Sequence, residues 1–506
     1  MIAMIINVLE LLEHSASKYP DKVFLADEEK AVTFSEAEDT ARRIGSFLIA
    51  KLPARNHPIA VCVGREAESV LMFLGVAYSG NFYVPINREL PADRVKVMLD
   101  TLQPEAVLGL AEDRAQMEGF SCPFYEFDEV SSAEVQEETL ALVRREAIDT
   151  DPLYAIFTSG STGTPKAVMI SHRSVIDLAY AYRDAFDITA ESICGNQASF
   201  DFDMSVKDIY SSLLNGCTVC IIPKDRFSFP VKLIAYLNEK KITHCFWAVA
   251  TLCVVANLKG MKHETPKYLK HVVFGGEVIP IKVLNYWMEH LPETSFYNGY
   301  GPTEITVNCT YFPVERHYEL DEAVPIGRPF KNTGVLVLDE NDKPVSGDGI
   351  GELCVRGTCL ALGYYNNPEK TAEVFVQNPL NSSYPEKIYR TGDLVKYDSE
   401  GQIVFCGRKD FQIKHMGYRI ELGDIETAAN ALEMVGRTCC SYDKEHKRIV
   451  LFYEAPDKID KDVREALKTK LPKYMVPGKY VQLPRFPENV HGKIDRKGLE
   501  KKFILK

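Results

Sequence analysis

The segment YAIFTSGSTGTPK, residues 154 to 166, leads from an apolar run into Thr158, Ser159, Gly160, Ser161, Thr162 and Gly163 and ends on Lys166. Glycines let backbone N–H groups approach an oxyanion, hydroxyls donate to it, and a lysine adds positive charge, so this composition suits a polyphosphate. It is not a Walker A loop, which needs Gly directly before Lys, because Thr164-Pro165 intervene. A surface turn with no ligand would not need so dense a set of donors. Farther along, NGYGPTE (298 to 304), YRTGD (389 to 393), GRKDFQIKHMGYRIE (407 to 421) and Gly492-Lys493 again set glycine beside charged or hydroxyl side chains. In the second of these, Asp393 is expected in a Thr-Gly-Asp turn after a strand, where an ionised carboxylate can accept from two hydroxyls at once.

Such groups need a scaffold to hold them. Short β-branched runs alternate with helical patterns, as in HPIAVCVG (57 to 64) followed by the amphipathic-looking REAESVLMFLGVAYSG (65 to 80). That is the rhythm of parallel α/β units. EAVLGLA, then VKDIYSSLLNG before TVCIIPKD, and HVVFGGE before IKVLNYWMEHL, repeat it. From about residue 320, short strands with Asp, Gly and Asn at the bends, such as TGVLVLDENDKPV and GQIVFCGRKD, predict a β-rich subdomain. The charge balance also changes: residues 411 to 506 carry 20 Lys+Arg against 14 Asp+Glu, while residues 1 to 410 carry 39 against 57. The fold class expected is α/β. A large N-terminal domain of mixed parallel sheets with helices spans 1–409 and includes the β-rich subdomain at about 320–409; a small mobile α+β domain spans 410–506. The basic C-terminal part is either a solvated face or one that meets an acidic partner or a phosphate.

A length of 506 residues, 46% hydrophobic and 26% charged, fits a globular chain of two to four domains and excludes collagen-like and disordered classes. The net charge of −12, with no lysine-rich arm, argues against nucleic acid. Thirteen scattered cysteines fit a reduced, cytoplasmic chain. The Cys217-Thr-Val-Cys220 pair has no second pair or His at ligand spacing and reads as a strand rather than a zinc site. Nothing approaches the 20 or so apolar residues of a membrane span. The opening MIAMIINVLELLEHSASKYP lacks the basic region of a signal peptide, and its Ile5, Leu9, Leu12 spacing predicts an amphipathic helix kept on the mature protein.

Taken in order, the five motifs resemble those of the adenylate-forming superfamily: acyl-CoA synthetases, luciferases and the adenylation domains of nonribosomal peptide synthetases. The resemblance covers residues 154 to 497. It implies that Thr158, Ser159, Gly160, Ser161, Thr162, Gly163 and Lys166 surround the β- and γ-phosphates of ATP. It places Gly299 and Tyr300 at the adenine, Thr303 at the α-phosphate, Glu304 on Mg²⁺, Asp393 on the ribose hydroxyls and Arg408 as a second nucleotide contact. Lys493 is the implied catalytic lysine, an ammonium set between the substrate carboxylate and the α-phosphate, although the usual Asn/Ser-Gly-Lys reads His491-Gly492-Lys493 here. Asp410 is the implied hinge, about which the C-terminal domain turns to exchange Lys493 for the face around Lys414 to Gly417.

Members that activate amino acids carry Asp within Phe-Asp-x-Ser-Val, and Phe202-Asp203-Met-Ser-Val206 supplies it. A carboxylate in an apolar pocket is costly unless paired, and an α-ammonium is its natural partner. Aligned by motif, the pocket walls are Met204, Lys207, Phe246, Val273, Gly275, Gly299, Val307 and Asn308. Gly275 and Gly299 are expected to leave room for a side chain. Lys207 and Asn308 would receive a polar or acidic one, unless Lys207 snorkels to the surface of its helix. FDMSVKDIY and GGEVIP also resemble free-standing ligases that load D-alanine onto a carrier protein, but those usually have Cys where Gly275 stands. The reading is therefore an enzyme of the peptide-synthetase adenylation type. It would couple an amino acid to AMP with release of pyrophosphate, then pass it to the phosphopantetheine thiol of a separate, acidic carrier protein, since no Gly-Gly-x-Ser motif follows. The alternatives are a D-alanine–carrier ligase, an acyl- or aryl-CoA ligase, which Asp203 disfavours, and a nucleotide-binding scaffold, which the presence of Lys166, Glu304, Asp393 and Lys493 disfavours.

Overall fold

Every residue of the helix Ala67–Tyr78 is buried, not one face as the pattern suggested. It lies on the strands Pro58–Val63 and Phe82–Asn87 and against the helix Phe34–Lys51, so no side remains for water. Glycines permit the close crossing: a Cβ on Gly75 would sit 2.4 Å from Ile44 Cβ, and one on Gly45 2.5 Å from Tyr78 Cβ. The computed structural model describes residues 5–117, 119–158, 165–409, 412–487 and 494–505. The chain divides into two compact units: one comprises Met1–Arg88, Leu102–Ile156 and Ala167–Gly407, the other Glu89–Thr101, Phe157–Lys166 and Arg408–Lys506.

Three sheets organise the fold up to residue 408. A seven-stranded sheet is centred on Pro152–Thr158, Phe82–Asn87 and Pro58–Val63. A nine-stranded sheet has a parallel middle, Ser295–Tyr300, His271–Gly275, His244–Ala248, Ile193–Asn196, Thr218–Ile221 and Val23–Ala26, with antiparallel strands at both edges. A five-stranded antiparallel sheet gathers Thr333–Leu338, Gly351–Gly357, Phe375–Gln377, Lys387–Tyr397 and Ile403–Arg408. The apolar runs read as strands are strands, and the one holding Cys220 spans Thr218–Ile221, with Cys217 just before it. The opening helix forms over Leu9–Lys18, with Leu9, Leu11 and Leu12 buried.

The C-terminal part of the second unit is α+β. A hairpin, Gln412–His415 with Tyr418–Glu421, turns through Met416 and Gly417, both at positive φ as a two-residue hairpin turn requires. A three-stranded sheet, Thr438–Asp443, Arg448–Glu454 and Lys479–Leu483, is accompanied by the helices Leu422–Asn430, Asp460–Lys470 and Arg496–Phe503. Among the described residues no helix is long and apolar enough to cross a membrane.

Candidate active site

The six parallel strands of the nine-stranded sheet share a carboxyl edge, the usual ligand edge of such sheets. Register places Phe246 opposite Val273, and Ala248 opposite Gly275, which itself faces Gly299. With the two-residue period of a strand, Phe246, Val273, Gly275 and Gly299 therefore lie on one face.

Tyr300 ends its strand buried, and its hydroxyl donates to Asp393 Oδ2. Burial, reinforced by the Asp393 charge, pushes that hydroxyl well above the usual tyrosine range, so it remains a donor. Asp393 is not in a turn after a strand. It lies within the long strand Lys387–Tyr397, where residues 391 to 393 bulge between the pairs Cys354 with Arg390 and Glu352 with Leu394. Glu352 makes the bulge. One of its oxygens accepts from Gly392 N at 3.0 Å, the other from Arg390 Nη1 at 2.9 Å, and Gly392 takes φ +71°. Thr391 Oγ1 accepts from Asp393 N at 3.0 Å and donates to Leu353 O at 2.7 Å.

Thr303 and Glu304 open the short helical turn Thr303–Ile305, both buried. Tyr364 donates to Glu304 Oε1 at 2.8 Å, and Ala361 N donates to the Glu304 carbonyl at 2.9 Å. This fixes a carboxylate whose hard oxygens suit Mg²⁺, an ion that combines one or two carboxylates with substrate phosphates. Immediately after, Thr306 and Val307 take φ +60° and +72°. For a β-branched valine that is real strain, of order 1–3 kcal/mol. Thr306 Oγ1 donating to Cys359 O (2.8 Å) and Cys309 N donating to Tyr300 O (2.9 Å) hold the segment, and so present Val307 and Asn308.

Asp203 sits at the start of the helix Met204–Asn215, 5% exposed, and its carboxylate makes no capping bond to that helix. The loop leading to it is tied down by Arg65, whose guanidinium donates to the carbonyls of Asn196, Gln197, Ala198 and Ile222 and to Asn196 Oδ1. Met204 is buried, and Lys207 is 1% exposed. Lys207 therefore does not snorkel. Its helix is enclosed, and burial lowers the ammonium's pKa against the opposing pull of Asp208 and Asp203. Asp208 is raised by burial, with Lys207, Asn196 and Arg65 working the other way.

Tyr182 joins the walls. Its hydroxyl donates to Asn308 Oδ1, and its ring meets Phe246 edge-on at 5.4 Å. Asn308 Nδ2 would lie 3.2 Å from a Cβ at Gly299, so Gly299 does face the pocket wall. Gly275 does not leave room. A Cβ there would strike Gly299 O at 2.4 Å, so glycine at 275 answers the close approach of the neighbouring strand's backbone.

Thr158 Oγ1 lies 3.5 Å from the Lys166 carbonyl, and Arg408 ends the strand Ile403–Arg408. Ser159, Gly160, Ser161, Thr162, Gly163, Asp410 and Lys493 lie outside the described residues. Sequence reasoning missed Glu352, Tyr364, Tyr182, Asp208 and Arg65. Only Asp208 carried a signal, a second charge beside Lys207 in an apolar helical pattern.

Residues 12–365 match the family described as AMP-binding enzyme. The chain belongs to that family. Among relatives of this AMP-binding enzyme, bacitracin synthase 1 of Bacillus licheniformis is 34% identical over 496 residues, 97% of this chain and 9% of that protein. Tyrocidine synthase 3 of Brevibacillus parabrevis is 32% identical over 510 residues, 97% and 8%. The chain thus spans about a tenth of the length of these relatives. Among solved structures, NpsA-ThdA, an artificially fused adenylation–PCP di-domain NRPS from Klebsiella oxytoca, matches with a TM-score of 0.83 at 21% identity, covering 95% of this chain and 94% of that one. The fold is shared.

Proposed function

We propose that this AMP-binding enzyme activates an α-amino acid: its carboxylate attacks the α-phosphorus of ATP, forming aminoacyl-AMP and releasing pyrophosphate. The observation that carries the reading is that one compact unit holds both the Tyr300–Asp393 pair, suited to a nucleoside, and Asp203, a buried carboxylate suited to an α-ammonium. Its likeness over nearly its whole length to segments of the bacitracin and tyrocidine synthases supports the same choice. Asp393 accepts from the ribose hydroxyls, and Tyr300 offers its face to adenine while bracing Asp393. Thr303 donates to the α-phosphate, and Arg408 makes a second nucleotide contact. The loop from Thr158 to Lys166 donates to the leaving pyrophosphate, and Lys493 neutralises the two anions as they meet. Glu304 would hold Mg²⁺, which supplies positive charge against the triphosphate. The chemistry required of the protein is mainly placement and neutralisation.

The second half of the proposal is transfer of the aminoacyl group to a carrier's phosphopantetheine thiol, with residues 410–506 turning about Asp410 against a core of 1–409. ATP–pyrophosphate exchange over a panel of L- and D-amino acids, fatty acids and aryl acids tests the first half. Exchange with an α-amino acid is expected, and exchange with none of them overturns it. Asp410→Pro, which fixes φ, tests the second: exchange should persist while thioester formation slows, and equal loss of both rejects the hinge.

A further inference from the structure

Along one face of the helix Met204–Asn215, residues 203, 207 and 211 follow at four-residue spacing, so their side chains stack one turn apart. Asp203 is at the open end of this row. Lys207 comes next, 1% exposed, and its Nζ has no hydrogen-bond partner among the described residues. Ser211 follows, fully buried, and its Oγ likewise has none. An ammonium carries three protons and no lone pair, so what satisfies it must be an acceptor. Asp208, the next residue along, is not hydrogen-bonded to Lys207: its Oδ2 accepts from Asn196 Nδ2 at 2.7 Å, and its Oδ1 is buried with no hydrogen-bond partner among the described residues. Tyr182 spends its hydroxyl on Asn308 Oδ1, which leaves Asn308 turned with its Nδ2, a donor, toward Gly299. Lys207 Nζ is thus a buried donor that calls for an acceptor, while Phe246, Val273 and Val307 are apolar and buried.

We propose that the amino acid activated by this chain bears a carboxylate on its side chain, and that Lys207 is the counter-ion that selects it. The inference rests on the amino acid adenylation reading and names its substrate class: a short α-amino dicarboxylic acid. Its α-ammonium pairs with Asp203, its side-chain carboxylate with Lys207 one helical turn deeper, and its α-carboxylate remains for the α-phosphorus. A hydrocarbon side chain would leave the ammonium buried and unsatisfied, the kind of mismatch that polar sites reject strongly. An amide of the same length presents one acceptor and no charge, so it ranks between the two.

The test is pyrophosphate exchange by the intact protein with aspartate, glutamate and 2-aminoadipate in both configurations, beside asparagine, glutamine, norvaline and leucine. One acid is expected to exceed its own amide in kcat/KM by tenfold or more. Lys207→Met should raise the KM for that acid by fiftyfold or more with a smaller change in kcat, and should invert the ratio of acid to norvaline; Lys207→Arg should recover part of the acid preference. If wild type prefers a neutral amino acid, the assignment of Lys207 is overturned and amino acid adenylation stands. The same holds if Lys207→Met keeps the acid-to-amide ratio. If no α-amino acid supports exchange, adenylation of amino acids falls and this inference with it. The wild-type panel decides even where the methionine variant fails to fold.

Discussion

The nucleotide side and the side-chain pocket handle buried polar groups in opposite ways. Around Tyr300, polar groups are joined to one another: Tyr300 to Asp393, Tyr364 to Glu304, Glu352 to Gly392 and Arg390. Around Lys207, the ammonium and the Ser211 hydroxyl have no protein partner among the described residues. A group that meets the same ligand in every turnover benefits from being held in place beforehand, because preorganised donors and acceptors need no rearrangement during reaction. A pocket that must tell one amino acid from another gains from polar groups that only the right side chain satisfies. The two sides lie within one compact unit, yet each has the chemistry of its own task.

The largest effect should come from removing the charge that anchors the substrate. Asp203→Ala leaves an α-ammonium to be buried without its counter-ion, a loss of about 3–5 kcal/mol. Exchange with every amino acid should fall at least about 100-fold, and the KM for ATP should hardly move. An equal rise in both KM values would mean that Asp203 supports the fold as a whole, and the contrast between the two sides would fail.

Next, Tyr300→Phe removes the hydrogen bond to a buried carboxylate while keeping the ring. Such a bond to a charged group contributes about 1.5–3 kcal/mol, so kcat/KM for ATP should drop about 10- to 100-fold. The amino acid ranking should stay as it was. A changed ranking would show that the two sides are not separable.

How far the sequence reveals these sides follows the same division. Motifs with a fixed ligand could be read because glycine, hydroxyl and carboxylate stand at short spacing, and Tyr300 and Asp393, 93 residues apart, do meet. The strands around them were readable from their β-branched runs. What could not be read depends on register and on chain segments far apart. Glu352 matters only because a bulge brings it beside Gly392. Gly275 looked like pocket space because nothing in one strand tells how closely the next will pass. Lys207 could not be told from a surface lysine, since one buried and one snorkelling lysine look alike on a helix. The strain at Thr306 and Val307 is hidden for a similar reason: neither residue type announces a positive φ.

That strain provides a smaller test. Thr306→Ala removes the hydroxyl that holds the segment to Cys359, worth about 1 kcal/mol, and lets Val307 and Asn308 relax. The KM for the amino acid should rise about fivefold, with little change for ATP. Thr306→Ser keeps the hydroxyl and should restore most of the binding. A uniform loss of thermal stability in both variants, with unchanged KM, would make the segment merely structural.

The smallest effect is expected from pH, and it differs in sign from what two carboxylates alone would give. Burial lowers Lys207 to about 8, with Asp208 and Asp203 pulling it back up, whereas Tyr300 is pushed well above its usual range. A lowered lysine keeps its proton below that value and loses it as pH rises through it. Between about pH 7 and 8.5 the protonated fraction falls about three- to fourfold, and kcat/KM for an acidic amino acid should fall with it, since that ratio reports groups of the free enzyme. The same ratio for ATP should stay level over this window, because Tyr300 does not titrate there. Lys207→Met should flatten the amino acid profile. If the fall persists in that variant, its origin lies elsewhere, either in Asp208 or in the substrate's own ammonium, and Lys207 would contribute bulk to the pocket without contributing charge.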